Sequence, residues 1–211
     1  MELVATRMPI TERRSQLVDA ALTVAADEGI AAATVRRVAE QAGVALGVVH
    51  YCFADKEELF DAVAARIVDD LTGAGASALG PGEARDLAGA LAGAVEALWT
   101  RIEHTAGEQL LTYEITTYAL RKPHRRAVAE RQYAASQAAA ERLLELAAQA
   151  GGAAWRRPLP ELAAEALAFV DGVTLRWLVD GDGGAARARL TAFAGYLASQ
   201  AKQVRRRRSA R

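Results

Sequence analysis

The chain has 211 residues, of which 52% are hydrophobic and 25% charged, and its 26 basic residues balance its 26 acidic residues. This composition is typical of a folded globular protein and excludes a disordered chain. The single cysteine, Cys52, excludes an intramolecular disulfide and a multi-thiolate metal site. No uncharged apolar run approaches the ~18 residues of a membrane span, and the start lacks a signal-peptide core, so we expect a cytoplasmic protein without a membrane partner.

The apolar residues recur at helical spacing, which predicts an all-α fold of about nine helices. We find no run of four or more residues that alternates between apolar and polar, so no strand is expected. The stretch 72–82 is rich in Gly, Ala and Ser and predicts a loop between two regions. The expected helices span about 11–28, 35–42, 45–52, 55–71, 87–102, 107–120, 124–149, 161–179 and 186–204.

Residues 34–53 have the pattern of a helix-turn-helix. Gly43 permits the positive φ of a tight turn, and Ala39 is small where two helix backbones would approach. Val38, Val44 and Val49 are placed to face the first helix. In a helix-turn-helix the second helix enters the major groove of DNA, although any hairpin of two helices in a helical core can share such a turn.

The run from Thr34 to Leu59 resembles the N-terminal domain of the TetR-type transcriptional regulators, and the helix from Arg13 to Gly29 resembles that family's first helix. Together they cover about a quarter of the chain. The resemblance implies a helix-turn-helix DNA-binding domain at 11–71, with the motif at about 34–53 and the fourth helix linking it to a ligand-binding and dimerisation domain at 83–204. Residues 205–211 would be a basic tail. The matching residues are Thr34, Ala39, Gly43, Gly47, Tyr51, Phe53 and Lys56-Glu57-Glu58-Leu59.

The resemblance implies that Thr34, Tyr51 and Lys56 contact DNA phosphates. A threonine at a helix start offers its hydroxyl and free backbone N–H groups to an anion, a tyrosine can donate its phenolic hydrogen, and a lysine supplies a charge. The alternatives are a helix cap, a core residue and a solvated lysine. Of Arg36 and Arg37, we expect one to face the DNA backbone and the other to face solvent.

The third helix departs from the family pattern, because it begins with Ala45-Leu46-Gly47-Val48 instead of small polar and basic residues. Such side chains cannot form bidentate hydrogen bonds with bases, but they can contact thymine methyl groups. His50 is the one ionisable side chain of this helix well placed to read a base, unless it is a plain surface residue. We therefore expect operator choice to depend on thymine methyls, His50, Arg36 and DNA shape.

The N-terminal region carries an unfavourable charge for DNA binding. Residues 1–58 hold six basic and nine acidic side chains, a net charge of −3, whereas a DNA-binding domain is usually basic. We expect the arginines at 205–208 and Arg211 to add non-specific attraction to phosphates. Deleting them would then make binding less dependent on salt.

The eighth helix carries two neighbouring apolar stripes, which predicts burial on two sides. One side can cover the core, and the other, with the ninth helix, can form a two-fold four-helix interface in a homodimer, as the family resemblance also implies. A central helix in a monomer is the alternative. The expected interface residues are Leu167, Thr174, Leu178, Leu190, Phe193 and Leu197.

The resemblance also implies an effector pocket in the second region, since aromatic walls with a few polar groups suit a mid-sized organic ligand. A single aromatic residue on a helix more often belongs to the core. No cofactor or metal is expected, because no second imidazole or thiolate stands at ligand spacing from a histidine. The expected pocket residues are Trp99, His104, Tyr113, Glu114, Thr117, Tyr118, Tyr133 and Trp177.

The sequence therefore predicts a repressor that an unknown small organic effector releases from a double-stranded DNA operator. An enzyme is not expected, because the chain has no P-loop, no Gly-x-Ser-x-Gly and no His-Glu-x-x-His, and its glycine run at 73–78 has no preceding strand. Two alternatives stay open: an activator, and a protein of this fold that binds a small molecule without reading DNA.

Overall fold

A computed structural model describes residues 8–80, 86–121 and 123–204. Within these ranges the chain forms nine α-helices, which confirms the all-α prediction. Two compact units result: the described part of Met1–Ile67 with Leu110–Gln132, and Val68–Gln109 with the described residues from Tyr133 onward. The helices are α1 Ile10–Glu28, α2 Val35–Ala42, α3 Leu46–Cys52, α4 Lys56–Ser77, α5 Leu87–His104, α6 Ala106–Leu120, α7 Arg126–Ala150, α8 Leu159–Asp180 and α9 Gly183–Ser199.

In the first unit, α1, α2 and α3 pack around a shared apolar core. Leu17 of α1 and Val38 of α2 are fully buried, and Val49 of α3 is 2% exposed. The turn between α2 and α3 depends on Gly43, which has a φ of +67° in the left-handed region and ends α2. The Val44 N–H then donates to the Ala39 carbonyl at 3.0 Å, so the turn closes as the sequence predicts.

The start of α4 is held by a reciprocal pair of caps. Asp55 Oδ1 accepts a hydrogen bond from the Glu58 N–H, and Glu58 Oε2 accepts one from the Ala54 N–H, both at 2.8 Å. The same carboxylate forms a 2.8 Å ion pair with Arg14 of α1. The Ala54 N–H and, after it, the Arg14 guanidinium lower the pKa of Glu58. Glu58 therefore joins α4 to α1 while it is ionised.

We expect Glu58→Gln to destabilise the protein at neutral pH and to lose this effect in acid. Because the pKa of Glu58 is lowered by folding, its contribution is complete above the unfolded value of about 4.3 and is lost as the pH falls through the folded pKa. Urea unfolding at pH 7 and at pH 3 measures the difference between wild type and variant. Glu130→Gln, at an exposed pair with Arg126, is the control. A difference of equal size at both pH values would contradict this role.

The second unit has two apolar clusters built from α5, α7, α8 and α9. In one cluster Leu87 and Leu144 pack with Leu162, and in the other the fully buried Trp99 packs with Leu190. Gly151, at the end of α7, lies so close to α5 that an added Cβ would stand 2.4 Å from the backbone nitrogen and Cα of Leu87. Only glycine fits there, because any larger residue would have to displace backbone.

Three sequence expectations are wrong in this region. Helix α4 continues to Ser77, so the loop expected at 72–82 starts too early. Within this helix Gly75 makes room for the Leu143 side chain, because a Cβ on Gly75 would stand 3.2 Å from Leu143 Cδ2. Strands β1 Ala153–Trp155 and β2 Ala201–Gln203 pair antiparallel, although no strand was expected. The ninth helix therefore ends at Ser199 and not at 204. Three-residue strands are too short to show an alternating pattern.

The expected basic tail at 205–211 lies outside the described residues. Among the residues that the structure does describe, no helix is both long enough and apolar enough to cross a membrane. In the same ranges, no group of three or more His, Cys, Asp and Glu side chains is arranged to hold a metal ion.

Candidate nucleic-acid interface

Thr34 begins α2 and is exposed. Its Oγ1 accepts a hydrogen bond from the Arg37 N–H at 3.1 Å, so the residue is the N-cap of the helix. The cap and the predicted phosphate contact are compatible, because a hydroxyl that accepts one hydrogen bond still has a proton to donate.

Helix α3 divides into a buried side and an exposed side. Val49 and Cys52 are buried against the other helices, while Ala45, Leu46, Gly47, His50 and Tyr51 are exposed and Val48 is half-buried. Tyr51 is 68% exposed, which disfavours the alternative that it packs in the core. The side chains expected to read DNA therefore share one surface, which we call the α3 face.

The α3 face continues onto the start of α1, which sequence reasoning missed. Met8 and Ile10 are 40% and 48% exposed, and with Pro9 they line a groove whose other wall includes Val48 and Tyr51. Large apolar residues at the very start of the first helix, ahead of its buried stripe, are the sequence signal that could have identified them. The groove extends the apolar chemistry of α3 beyond the four residues that begin it.

The arginines of α2 differ in how firmly they are held. Arg37 forms hydrogen bonds with Glu28 Oε1 through both Nε, at 3.2 Å, and Nη2, at 2.7 Å, and this contact raises its pKa. Arg36 forms a 3.1 Å pair with Glu40 one turn away, and its side chain is 83% exposed. Exposed pairs of this kind contribute little, so a phosphate can displace Glu40 from Arg36 at small cost. Arg36 is therefore the arginine of α2 that is available to DNA.

Lys56 is not arranged like the other predicted phosphate contacts. Its Nζ donates a hydrogen bond to the Ile30 carbonyl at 3.0 Å and lies 5.1 Å from the centre of the Phe60 ring. Burial and, after it, the charge of Arg125 lower the pKa of Lys56. The ammonium group thus points toward the protein backbone in this structure.

The eight residues expected to line an effector pocket are divided equally between the two units. In the second unit, Trp99 and Trp177 pack edge to face with ring centres 5.2 Å apart, and Trp99 belongs to the core. The Tyr133 hydroxyl donates to Asp171 Oδ2 at 3.0 Å; burial, and then Asp171, raise the pKa of this tyrosine to about 12. His104 is exposed, and its Nδ1 is hydrogen-bonded to a carbonyl of its own helix.

The four expected pocket residues of α6 lie in the first unit. Thr117 is bonded to the Tyr113 carbonyl, Glu114 accepts from the Ile30 N–H, and Tyr118 contacts the guanidinium of Arg125. A cavity of about 50 Å³ in this unit includes Tyr118 in its lining but none of the other seven residues.

The expected dimer residues differ in how far they are exposed in a single chain. Thr174, Leu190 and Leu197 are buried within the protomer at 2%, 1% and 4% exposure, while Leu167, Leu178 and Phe193 are half-buried. The first three are buried inside their own unit and present no surface to a second copy, whereas the other three are partly exposed. An apolar helix does not reveal which of its two sides faces inward. The residues exposed along one side of α8 are Ala164, Ala168, Gly172, Leu175 and Val179.

This geometry defines a helix-turn-helix protein whose reading helix is exposed. Residues 17–63 match the family model described as bacterial regulatory proteins of the tetR family. The chain belongs to the TetR family of transcriptional regulators, which bind DNA operators and small-molecule effectors. Membership in this family agrees with the expectation that the chain is not an enzyme.

The chain is similar to regulators of known role. It is 27% identical to the nicotine-responsive transcriptional repressor HdnoR of Paenarthrobacter nicotinovorans over 179 residues, 82% of this chain and 88% of that protein. It is 39% identical to the transcriptional activator FasR of Mycolicibacterium smegmatis over 108 residues, 51% of this chain and 48% of that protein. The fold is also that of a TetR-family regulator from Rhodococcus sp., with a TM-score of 0.75 at 23% identity, covering 89% of this chain and 98% of that one.

Proposed function

We propose that this DNA-binding regulator is a repressor that binds a near-palindromic operator as a homodimer and leaves it when a small organic effector binds. The observation that carries the proposal is the α3 face, a continuous exposed surface on a helix-turn-helix. Repression and response to a small molecule are supported by the similarity to HdnoR, which extends over 82% of this chain.

The proposed dimer uses the exposed side of α8 together with α9. Apart from Arg176, the exposed α8 residues from Ala164 to Val179 are small or apolar, and Ala188, Ala192 and Gly195 are exposed on α9. Small residues let helix backbones approach closely, and a two-fold axis would pair each face with itself. Two copies of α3 could then read two half-sites about one helical turn of DNA apart.

The proposed operator reading relies on shape and apolar contact. Leu46 is 44% exposed and, with Ala45 and Val48, offers only methyl groups to the major groove. His50 and Arg36 supply the hydrogen-bond donors, and Thr34 and Tyr51 are placed to donate to phosphates. We therefore expect half-sites in which thymines stand opposite α3.

The proposed response to an effector is a linkage between two binding equilibria. The effector must bind the DNA-incompetent state of the protein more tightly, typically by ~1–3 kcal/mol, because a ligand with equal affinity for both states shifts nothing. A release assay with candidate ligands on a protein–operator complex measures this coupling. A ligand that binds tightly but leaves operator affinity unchanged would contradict it.

Selection from a random duplex library with the full chain tests the operator proposal. We expect near-palindromic, thymine-containing sites. We also expect Leu46→Ala to weaken binding to the selected duplex about tenfold, because it removes methyl groups that would be buried against the DNA. Leu110→Ala, at a leucine of α6 that is 49% exposed against 44% for Leu46, is the matched control. The proposal would be overturned if no duplex were enriched. It would also be overturned if the selected sites held an invariant guanine that the Leu46→Ala variant no longer selects.

The similarity to FasR favours an activator as the second candidate. Both roles require the same DNA interface, so binding alone does not separate them. A reporter placed downstream of the selected duplex does: deleting the gene for this regulator raises the reporter if the protein represses and lowers it if the protein activates.

A further inference from the structure

The turn between α1 and α2 is held at one residue by charged side chains from two other helices. The Ile30 N–H donates to Glu114 Oε2 of α6, and Lys56 Nζ of α4 donates to the Ile30 carbonyl, both at 3.0 Å. All three residues belong to the first unit. Hydrogen bonds with one charged partner are about twice as strong as neutral ones. We call this arrangement the Ile30 clamp.

The clamp lies four residues before the DNA-facing cap of α2. Gly29 ends α1 with a φ of +84°, and its carbonyl accepts from the Ala32 N–H at 3.2 Å. The Ala32 carbonyl accepts from the Thr34 N–H at 2.7 Å, and Thr34 then caps α2. This series of short-range hydrogen bonds leaves little freedom between Ile30 and Thr34. The position of the Ile30 backbone therefore sets the position at which α2 begins.

Glu114 also packs against the residue before the clamp. Its two carboxylate oxygens lie 3.8 and 3.9 Å from the point where a Cβ of Gly29 would stand. On the other side of the turn, Lys56 lies over the Phe60 ring, and Arg125 stands close enough to repel its charge. A Lys56 side chain that moved out to a phosphate would leave the Ile30 carbonyl without its charged donor.

We propose that Lys56 and Glu114 are positioning residues for DNA binding, which hold Ile30 and thereby fix Thr34 and the start of α2, and that Lys56 is not a phosphate ligand. The proposal rests on the DNA-binding function of the first unit. It assigns to Lys56 a different role from the phosphate contact that the family resemblance implies, and it gives Glu114 a role outside an effector pocket.

The salt dependence of Lys56→Met separates the two roles of this lysine. Loss of a positioning residue should weaken binding to the library-selected duplex about tenfold at every salt concentration and leave the slope of log K against log salt unchanged. Loss of a phosphate contact should lower the magnitude of that slope by about 0.9 for each contact. Arg126→Met, which removes a cation from an exposed pair, is the control. A fall in slope would overturn the proposal.

Variants of Glu114 test the other half of the clamp. Glu114→Ala should weaken binding about as much as Lys56→Met, and Glu114→Gln should weaken it less, because the amide oxygen still accepts from the Ile30 N–H. The double variant Lys56→Met/Glu114→Ala should be within about twofold of either single one, since both act on the same turn. Glu130→Ala is the control for loss of a carboxylate. Fully additive losses would contradict a shared role.

Amide hydrogen exchange in the protein without DNA keeps this test independent of the operator. Glu114→Gln and Lys56→Met should speed exchange at Ile30, Thr34 and Arg37, and leave the amides of α9 unchanged. If the wild type selects no duplex, the DNA-binding function fails, and the exchange result decides the clamp separately. Unchanged exchange at these three amides in both variants would overturn the clamp.

Discussion

Leu175→Glu/Val179→Glu should convert the proposed dimer into a monomer. These side chains are 47% and 83% exposed on the outer side of α8, an unusual exposure for a leucine and a valine one turn apart. A two-fold interface repeats every residue, so the double variant would place four carboxylates in one apolar contact. Because each unpaired buried charge costs several kcal/mol, the dissociation constant should rise at least ~1,000-fold, about 4 kcal/mol.

The same variant should bind the selected duplex at least ~100-fold more weakly, since a monomer loses the second half-site and its high effective concentration. Sedimentation equilibrium at micromolar concentration measures the assembly, and circular dichroism checks that the helices persist. Leu110→Glu/Leu146→Glu changes two leucines that are 49% and 39% exposed on other helices, and should sediment as the wild type does. A wild type that is already monomeric, or a variant that still dimerises, would reject this interface.

The helix-turn-helix could be predicted from sequence because its determinants are local. A cap at Thr34, a glycine at 43 and apolar residues at fixed spacings act within about ten residues of one another, and the structure has the cap and the positive φ as expected. The exposure of Tyr51 follows in turn from the burial of Val49 and Cys52, because residues three apart share one face of a helix and Tyr51 lies on another.

The contact between Lys56 and Ile30 could not be predicted, because the two residues are 26 apart in sequence and the acceptor is a backbone carbonyl. Glu114 is still more remote, 84 residues from Ile30. A sequence pattern specifies which residue types recur at which spacing, but it does not reveal which backbone groups a fold leaves unpaired. The family resemblance supplied a phosphate role for Lys56 in place of this missing contact.

Which stripes of α8 and α9 are exposed could not be predicted, for a similar reason. Leu190 and Thr174 belong to stripes as apolar as the exposed one, and periodicity cannot rank two apolar stripes on one helix. In the structure Leu190 and Thr174 are buried, whereas Leu175 and Val179 are exposed. The strand pair was missed because the pairing of Trp155 with Ala201 joins segments far apart in the chain.

The charge balance of the DNA-binding unit has a physical explanation in the ion pairs. Arg14, Arg37 and Arg66 are each paired with a carboxylate of the same unit at 2.7–2.8 Å, so much of its positive charge is used within the fold. The α3 face is correspondingly apolar. Operator affinity should therefore depend weakly on salt, because few counterions would be released from the DNA. Such a weak dependence is what we expect if operator choice rests on DNA shape and methyl groups.

Trp99→Ala should be among the most destabilising single substitutions in the second unit. The indole is fully buried, packs edge to face on Trp177 and lies in a cluster with Ile102 and Leu190. Truncating a buried tryptophan to alanine typically costs ~3–5 kcal/mol, which is a large part of the ~5–15 kcal/mol that stabilises a folded domain. Urea unfolding followed by circular dichroism, at one fixed protein concentration, measures the loss.

Trp99→Phe should cost much less, because Trp99 Nε1 is buried without a hydrogen-bond partner among the described residues. Phenylalanine keeps most of the ring and removes a buried donor whose unsatisfied state costs ~1–3 kcal/mol. Trp155→Phe is the comparison, at a half-buried indole whose Nε1 donates to the Leu144 carbonyl at 3.3 Å, so that the change removes a hydrogen bond. A Trp99→Phe variant that is destabilised as much as Trp155→Phe, or more, would contradict this prediction. The packing of this core around Trp177 would then differ from that described.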